Sequence, residues 1–185
     1  MAKFIDFDSI IKTDWTKPSV QKNPLWIIAA LGAMISVGAL FVKWIILKTT
    51  VTVNGNEVWH SNLSSAPFEN TEAIFIVIGL VLAIYGLLYR QYGVATLAGL
   101  IVFGFGCAYM FDAINETATI VQDGKSFTLK ELGDGLKYQI SQGAFGPSKY
   151  VNHFTTINGC GFLFAVAGGF LTALCSFLLY KKSNK

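Results

Sequence analysis

Apolar and polar stretches alternate along this chain so as to leave four long apolar runs with polar segments between them. The last run, Ile157 to Tyr180 (INGCGFLFAVAGGFLTALCSFLLY), carries no formal charge and stops at Lys181 and Lys182. As a helix it would reach about 36 Å, more than the roughly 30 Å of hydrocarbon in a bilayer. Similar runs predict helices over 25–47, 72–89 and 94–111. The expected fold class is therefore an all-α membrane protein, a four-transmembrane-helix bundle with two outer loops. The segments between the spans (25–47, 72–89, 94–111 and 157–180) are an N-terminal cytoplasmic segment 1–24, an outer loop 48–71, a cytoplasmic turn 90–93, a second outer loop 112–156 and a tail 181–185.

Small residues recur within these runs at helical spacing. Gly161, Ala165, Gly169 and Ala173 fall at four-residue intervals, and Ala29/Gly32/Ser36/Ala39, Gly79/Ala83/Gly86 and Ala95/Gly99/Gly106 repeat the device. Stripes of this kind let helix backbones approach closely where lipid removes the hydrophobic drive for association. Trp26 and Trp44 are expected at the two interfaces, where indole rings prefer to lie. Phe4, Phe7, Ile11 and Trp15 have the spacing of a short interfacial helix before the first span.

The loops carry strand signals. TVTVNGNEVW alternates on both sides of Asn54-Gly55, and TIVQDGKSFTL does so around Asp123-Gly124; both dipeptides favour tight hairpins. The two hairpins are expected to combine into a small outer β-sheet. Thr128 and Glu131 have capping-box spacing for a single helical turn that Gly133 would stop, and Lys137 to Ser141 reads as a further strand.

Composition sharpens this picture. Of 185 residues, 53% are hydrophobic and 14% charged, against about 25% charged in an average soluble domain. A net charge of +3, with lysines spread over both ends and both loops, excludes a nucleic-acid-binding stripe. Lys3, Lys12, Lys17, Lys22, Arg90, Lys181, Lys182 and Lys185 gather on the side of the termini and the short turn, so both termini are expected in the cytoplasm. The single arginine and the abundance of Lys, Asn and Ile point to a bacterial cytoplasmic membrane. The layout of cytoplasmic termini, two outer loops and one inner turn resembles that of the claudin and tetraspanin proteins in architecture. The Trp/Gly-Leu-Trp motif with paired loop cysteines, and the Cys-Cys-Gly motif, are missing.

Chemistry is sparse. No span carries a charge in its middle; Lys43, Glu72 and Asp112 come at outer helix ends, where they can snorkel or form ion pairs. His60 and His153 sit one in each outer loop near acids such as Glu57 and Glu69, without the tight clustering of a metal site. Cys107 and Cys160 share a depth that permits a disulfide, although buried free thiols are commoner. Neither a metalloprotease helix, a nucleophile elbow, a phosphate loop nor a dinucleotide fingerprint occurs. These observations lead to a non-catalytic membrane protein without cofactor, a subunit or accessory of a membrane complex. Its partners are the bilayer and other membrane subunits or itself. Trp59, Phe127, Tyr138, Phe145 and Tyr150 are its candidate contacts. The alternative is a small oligomeric channel or transporter lined by Ser36, Thr96, Thr172 and Ser176.

Overall fold

The computed structural model describes residues 4–5, 10–12, 18–65, 68, 71–122, 125–147 and 151–183. In chain order its elements are α1 (Pro24–Gly38), β1 (Ile45–Val53), β2 (Asn56–Ser65), α2 (Thr71–Leu88), α3 (Tyr92–Ile114), β3 (Thr119–Gln122), β4 (Lys125–Thr128), α4 (Leu129–Ser141), β5 (Val151–Asn158) and α5 (Gly161–Ser183). The apolar helices pack side by side: α5 lies against both α1 and α3, and α2 against α3. Every strand, together with α4, follows the last residue of α1 or α3, or precedes the first residue of α2 or α5, so all of them form a cap at one end of the helices. At the other end the Ser19 amide donates to Leu88 O (2.9 Å) and the Arg90 guanidinium to Ser19 Oγ (2.9 Å), close to the basic last turn of α5 with Lys181 and Lys182.

The all-α expectation is corrected here. Among the described residues there are five helices and a three-stranded antiparallel sheet, ordered β2-β1-β5, beside a two-stranded sheet β3-β4. Among the described residues only α3 and α5, of 23 residues each, are long and apolar enough to cross a membrane. The four-transmembrane-helix bundle therefore does not stand, and the architectural likeness to claudins and tetraspanins goes with it. The cause lies in the 25–47 run. Helix α1 ends at Gly38, 15 residues from its start, or about 22 Å. From Ile45 the β-branched sequence IILKTTVTV continues as β1, burying Ile45, Leu47, Thr49 and Val51 on alternate positions. A continuous apolar run does not by itself distinguish a helix from a strand.

Other boundaries shift for similar reasons. The predicted span 157–180 surrenders its first residues to β5, and 94–111 lengthens to Tyr92–Ile114. β1 and β2 pair around Asn54-Gly55, where both residues have positive φ (51° and 83°). The Asp123-Gly124 turn, like Phe7 and Trp15, lies outside the described residues; β3 and β4 pair on either side of it. The two hairpins do not merge: β5, unforeseen, completes the first, leaving the second as its own sheet. Lys137–Ser141 is helical, the last part of α4, which runs through Gly133 rather than stopping there.

The helices are small inside and large outside. Gly161, Ala165, Gly169, Ala173, Gly32, Ser36, Gly79, Ala83, Gly99 and Gly106 are all buried, whereas Met34, Val81, Leu100 and Phe170 are 50–62% exposed. A Cβ on Gly169 would stand 2.5 Å from the Phe103 backbone nitrogen, and one on Gly99 2.6 Å from that of Ala173. One residue out of phase, Gly168 meets the backbone of Gly32 and the Ser36 hydroxyl, while Thr172 donates to Ala29 O (3.2 Å) and Gly168 O (2.8 Å). Helix α5 thus carries two small faces, one for α3 and one for α1. Gly79 and Gly86 seat α2 on Val102 and Ala95 of α3 in the same way.

Both expected interfacial tryptophans lie at the ends of the helical layer but turn inward. Trp26 donates its indole N–H to Leu87 O in the last turn of α2 (2.9 Å), and Trp44 to Ala39 O just past α1 (2.6 Å). Each satisfies a carbonyl that a helix end leaves without a partner. Trp44 is fully buried and meets the Tyr109 ring edge-on at 4.5 Å, while the Tyr109 hydroxyl donates to Ser65 Oγ (3.3 Å). Gly161 allows the close pass: its Cβ would stand 2.6 Å from Trp44 Cδ1. One indole thereby joins α1, α3, α5 and the cap, in a core that continues from Ala73, Ile76 and Leu80 to Ile120 and Leu129.

Gly169→Leu is expected to part α5 from α3 and to cost about 3 kcal/mol, the upper end of the usual overpacking range. Gly104→Ala, whose Cβ meets nothing within 4 Å, should instead stabilise by about 0.5–1 kcal/mol. Thermal unfolding in mild detergent reads both, and equal midpoints for the two variants would refute the seam.

Candidate functional site

In β1 the side chains alternate between two faces of the sheet. Leu47 and Thr49 lie on one face, with Leu63 and Ser61 of β2 beside them on one side and Ile157 and Thr155 of β5 on the other. The Thr49 and Thr155 hydroxyls are 3.4 Å apart. The opposite face carries Lys48, Asn62, Thr156 and His60, the hydrated side of a half-buried antiparallel sheet.

Helix α4 stands over the first face. It begins in a complete capping box: the Thr128 hydroxyl accepts from the Glu131 amide (3.1 Å), and the Glu131 carboxylate accepts from the Thr128 amide (2.8 Å). Leu129, Leu132 and Leu136 follow at three- and four-residue spacing and turn toward the sheet; Leu129 and Leu136 are buried. The helix does not close onto the strands. Between them lies a cleft of about 500 Å³ with Leu47, Leu63, Ile157, Leu129, Leu132 and Leu136 along its walls, and Lys130, Asp134, Lys137 and His153 also lining it. Trp59 lines it too and meets Phe145 at 6.2 Å.

Two glycines border this space, on opposite flanks of the leucine stripe. Gly133 and Gly135 are interior to α4 and line the cleft, and a Cβ on either meets nothing within 4 Å. Each weakens the helix by about 0.5–1 kcal/mol relative to alanine. The helical glycines Gly32, Gly99 and Gly169 have a neighbouring backbone to explain them; these two have none. A second hollow of about 320 Å³ lies at the junction of cap and helices, between Trp44, Ile45, Met110, Ala113, Ile114 and Phe162. It shares Glu116 and Ile157 with the cleft, so the two adjoin.

Electrostatically the cleft is mixed, with Lys130 and Lys137 beside Glu116, Glu131 and Asp134. Asp134 and Lys137 form an exposed i,i+3 pair at 3.5 Å. The Glu131 pKa is held below the ordinary glutamate range, first by the Thr128 backbone N–H and then by its hydroxyl, against a slight opposing effect of burial. No three of His, Cys, Asp or Glu gather closely enough among the described residues to hold a metal ion.

Of the residues singled out in sequence, Trp59, Phe127 and His153 line the cleft, and Phe145 packs beside Trp59. Tyr138 points away, 66% exposed. Tyr150, Glu69 and the Glu72 side chain lie outside the described residues. His60 pairs with Glu57 at 3.0 Å on the exposed hairpin. Asp112 does not form an ion pair with Lys43 among the described residues; its carboxylate accepts the Thr117 hydroxyl (2.9 Å) and its carbonyl the Thr117 amide (2.9 Å). Cys107, Cys160 and Cys175 are free thiols. Thr96 and Thr172 donate to carbonyls of their own helices and, with Ser36 and Ser176, are buried in the helix seams. Sequence reasoning missed Leu47, Leu63, Ile157, Leu132, Leu136 and the glycine pair. The one signal for them was the Leu129/Leu132/Leu136 spacing, which the glycines masked. No known protein family, characterised protein or solved structure matches the chain.

The folded-state pKa of Glu131 is depressed, so the stability it lends α4 is present above the ordinary glutamate pKa and lost as pH falls through the folded-state value. Amide protection in α4 should therefore decline on acidification below about pH 4.3, whereas in Glu131→Ala it should be lower throughout and flat over that range. Thr128→Ala should weaken α4 by about 1 kcal/mol. Hydrogen exchange corrected for intrinsic rates measures all three, and a wild-type profile as flat as the variant's would contradict the assignment.

Proposed function

We propose that the protein is a non-catalytic integral membrane protein, a subunit or accessory of a membrane complex, whose sheet-and-α4 cap is its recognition part. The observation that carries this reading is the inversion of the helical layer: glycine, alanine, serine and threonine fill the seams while large apolar side chains face outward. In water such a surface would be an aggregation liability, because monomers rarely expose apolar patches beyond a few hundred Å²; in lipid it is the ordinary arrangement. Helices α3 and α5 supply the crossing length, and α1 and α2 are bound to them through glycine contacts.

Orientation follows from charge. Lys22, Arg90, Lys181 and Lys182 share the end opposite the cap, which supports cytoplasmic termini and an outward-facing cap. A single arginine in a lysine-rich chain supports a bacterial cytoplasmic membrane. The cap supports recognition because it holds an open, mixed cleft lined by two glycines that nothing within the chain explains. A pore is poorly served: the hydroxyls that would line it are packed against backbone in the helix seams.

The protein should remain in the pellet after alkaline carbonate washing of membranes. With Cys107, Cys160 and Cys175 replaced by serine, a cysteine introduced at Asn56 in the hairpin should react with an impermeant maleimide in intact cells, and one at Ser183 only after lysis. Photocrosslinking from Trp59 and Phe127 positions should yield a discrete adduct, and a crosslink-free monodisperse monomer would remove the accessory role. Release by carbonate would remove the membrane reading itself.

A further inference from the structure

We propose that the cleft beneath α4 receives the acyl chain of a bilayer lipid, which enters through the hollow at the junction of cap and helices. This deepens the recognition role assigned to the cap and rests on that reading. The cleft and the junction hollow share Ile157 and Glu116, so the two adjoin at those side chains. Its lower end lies at the last turn of α3 and the first turn of α5, where Met110, Ile114 and Phe162 line it; Ile114 is 70% exposed on the same level as Phe111 at 67%. A lipid-facing surface therefore leads into the cleft. Together the volumes, about 500 and 320 Å³, fall in the range of sites that enclose a small ligand.

The walls select the chemistry. One is the face of a sheet and the other the side of a helix, whose backbone N–H and C=O groups are committed within their own elements. A polypeptide laid in the cleft would find no row of backbone partners there, and burying its amides without them is costly. An acyl chain has no such groups and can lie along the leucines and Ile157, with the Thr49, Ser61 and Thr155 side chains beside them. Gly133 and Gly135 leave room for it, with a loss of helix strength that no contact within the chain offsets. The charges beside the cleft, Lys130 and Lys137 with Glu116, Glu131 and Asp134, are of both signs, so no strong charge of one sign selects a headgroup. The chain, rather than the headgroup, is what is recognised.

Gly133→Phe provides the test, because a Cβ there meets nothing within 4 Å and a large side chain beside the cleft would obstruct it while removing a helix-weakening residue. The full-length protein, delipidated in mild detergent, is titrated with long-chain phosphatidylglycerol and phosphatidylcholine and followed by native mass spectrometry. One lipid of either headgroup should bind the wild type at least ten-fold more tightly than Gly133→Phe, with the unfolding midpoint of the variant undiminished. Dihexanoyl phosphatidylcholine and glycerophosphocholine should not compete. Gly135→Leu serves as a second occluding variant should Gly133→Phe lose stability. Equal lipid occupancy in wild type and both variants, competition by the headgroup alone, or displacement of the lipid by a peptide would each overturn the proposal. If the protein stays in carbonate-washed membranes while lipid occupancy is unchanged, the acyl site fails and the membrane reading stands; if carbonate releases it, the failure lies in that reading.

Discussion

The approach of backbones along α5 is the constraint on which the remaining architecture depends. Where Gly168 and Gly169 pass Gly32 and Gly99, little more than a hydrogen atom separates the chains. Dispersion over that close contact holds the helices together along the seam. With α1 on one face of α5 and α3 on the next, the points at which the chain leaves the helices are determined. Those points converge on Trp44, and the cap is built outward from there.

This packing was the part most legible in sequence, because small residues at strict helical spacing signal close backbone contact and little else. The second face of α5 was less so. Gly168, Thr172 and Ser176 are one residue out of phase with the stripe that drew attention, and a helix small on two sides has no apolar asymmetry to display. Length misled at α1 for a physical reason: Trp44 to Leu47 is as apolar as a membrane helix, but Ile45 and Ile46 join a hairpin whose turn lies beyond. Strand β5, VNHFTTIN, is too polar to announce itself and exists because β1 offers it an edge. Tertiary pairing, not local preference, decides such a strand.

The candidate site was legible only in its aromatics. Trp59 and Phe127 could be singled out as large exposed-loop anchors, whereas the cleft requires β1, β2, β5 and α4 to meet, from positions as distant as Leu47 and Ile157. Helix α4 was misread because its two glycines are stop signals in isolation. Its capping box and leucine stripe override them at a cost in helix strength, and α4 is the described helix least tied to the others.

The burial of Trp44 makes cap and helices one mechanical body. Its indole contacts the end of one helix, the flank of another, the start of a third and the root of the central strand. A tilt of α3 or a slide of α5 cannot occur without disturbing the strand that forms the floor of the cleft. The shape of the cleft is thereby geared to how the helices stand against one another.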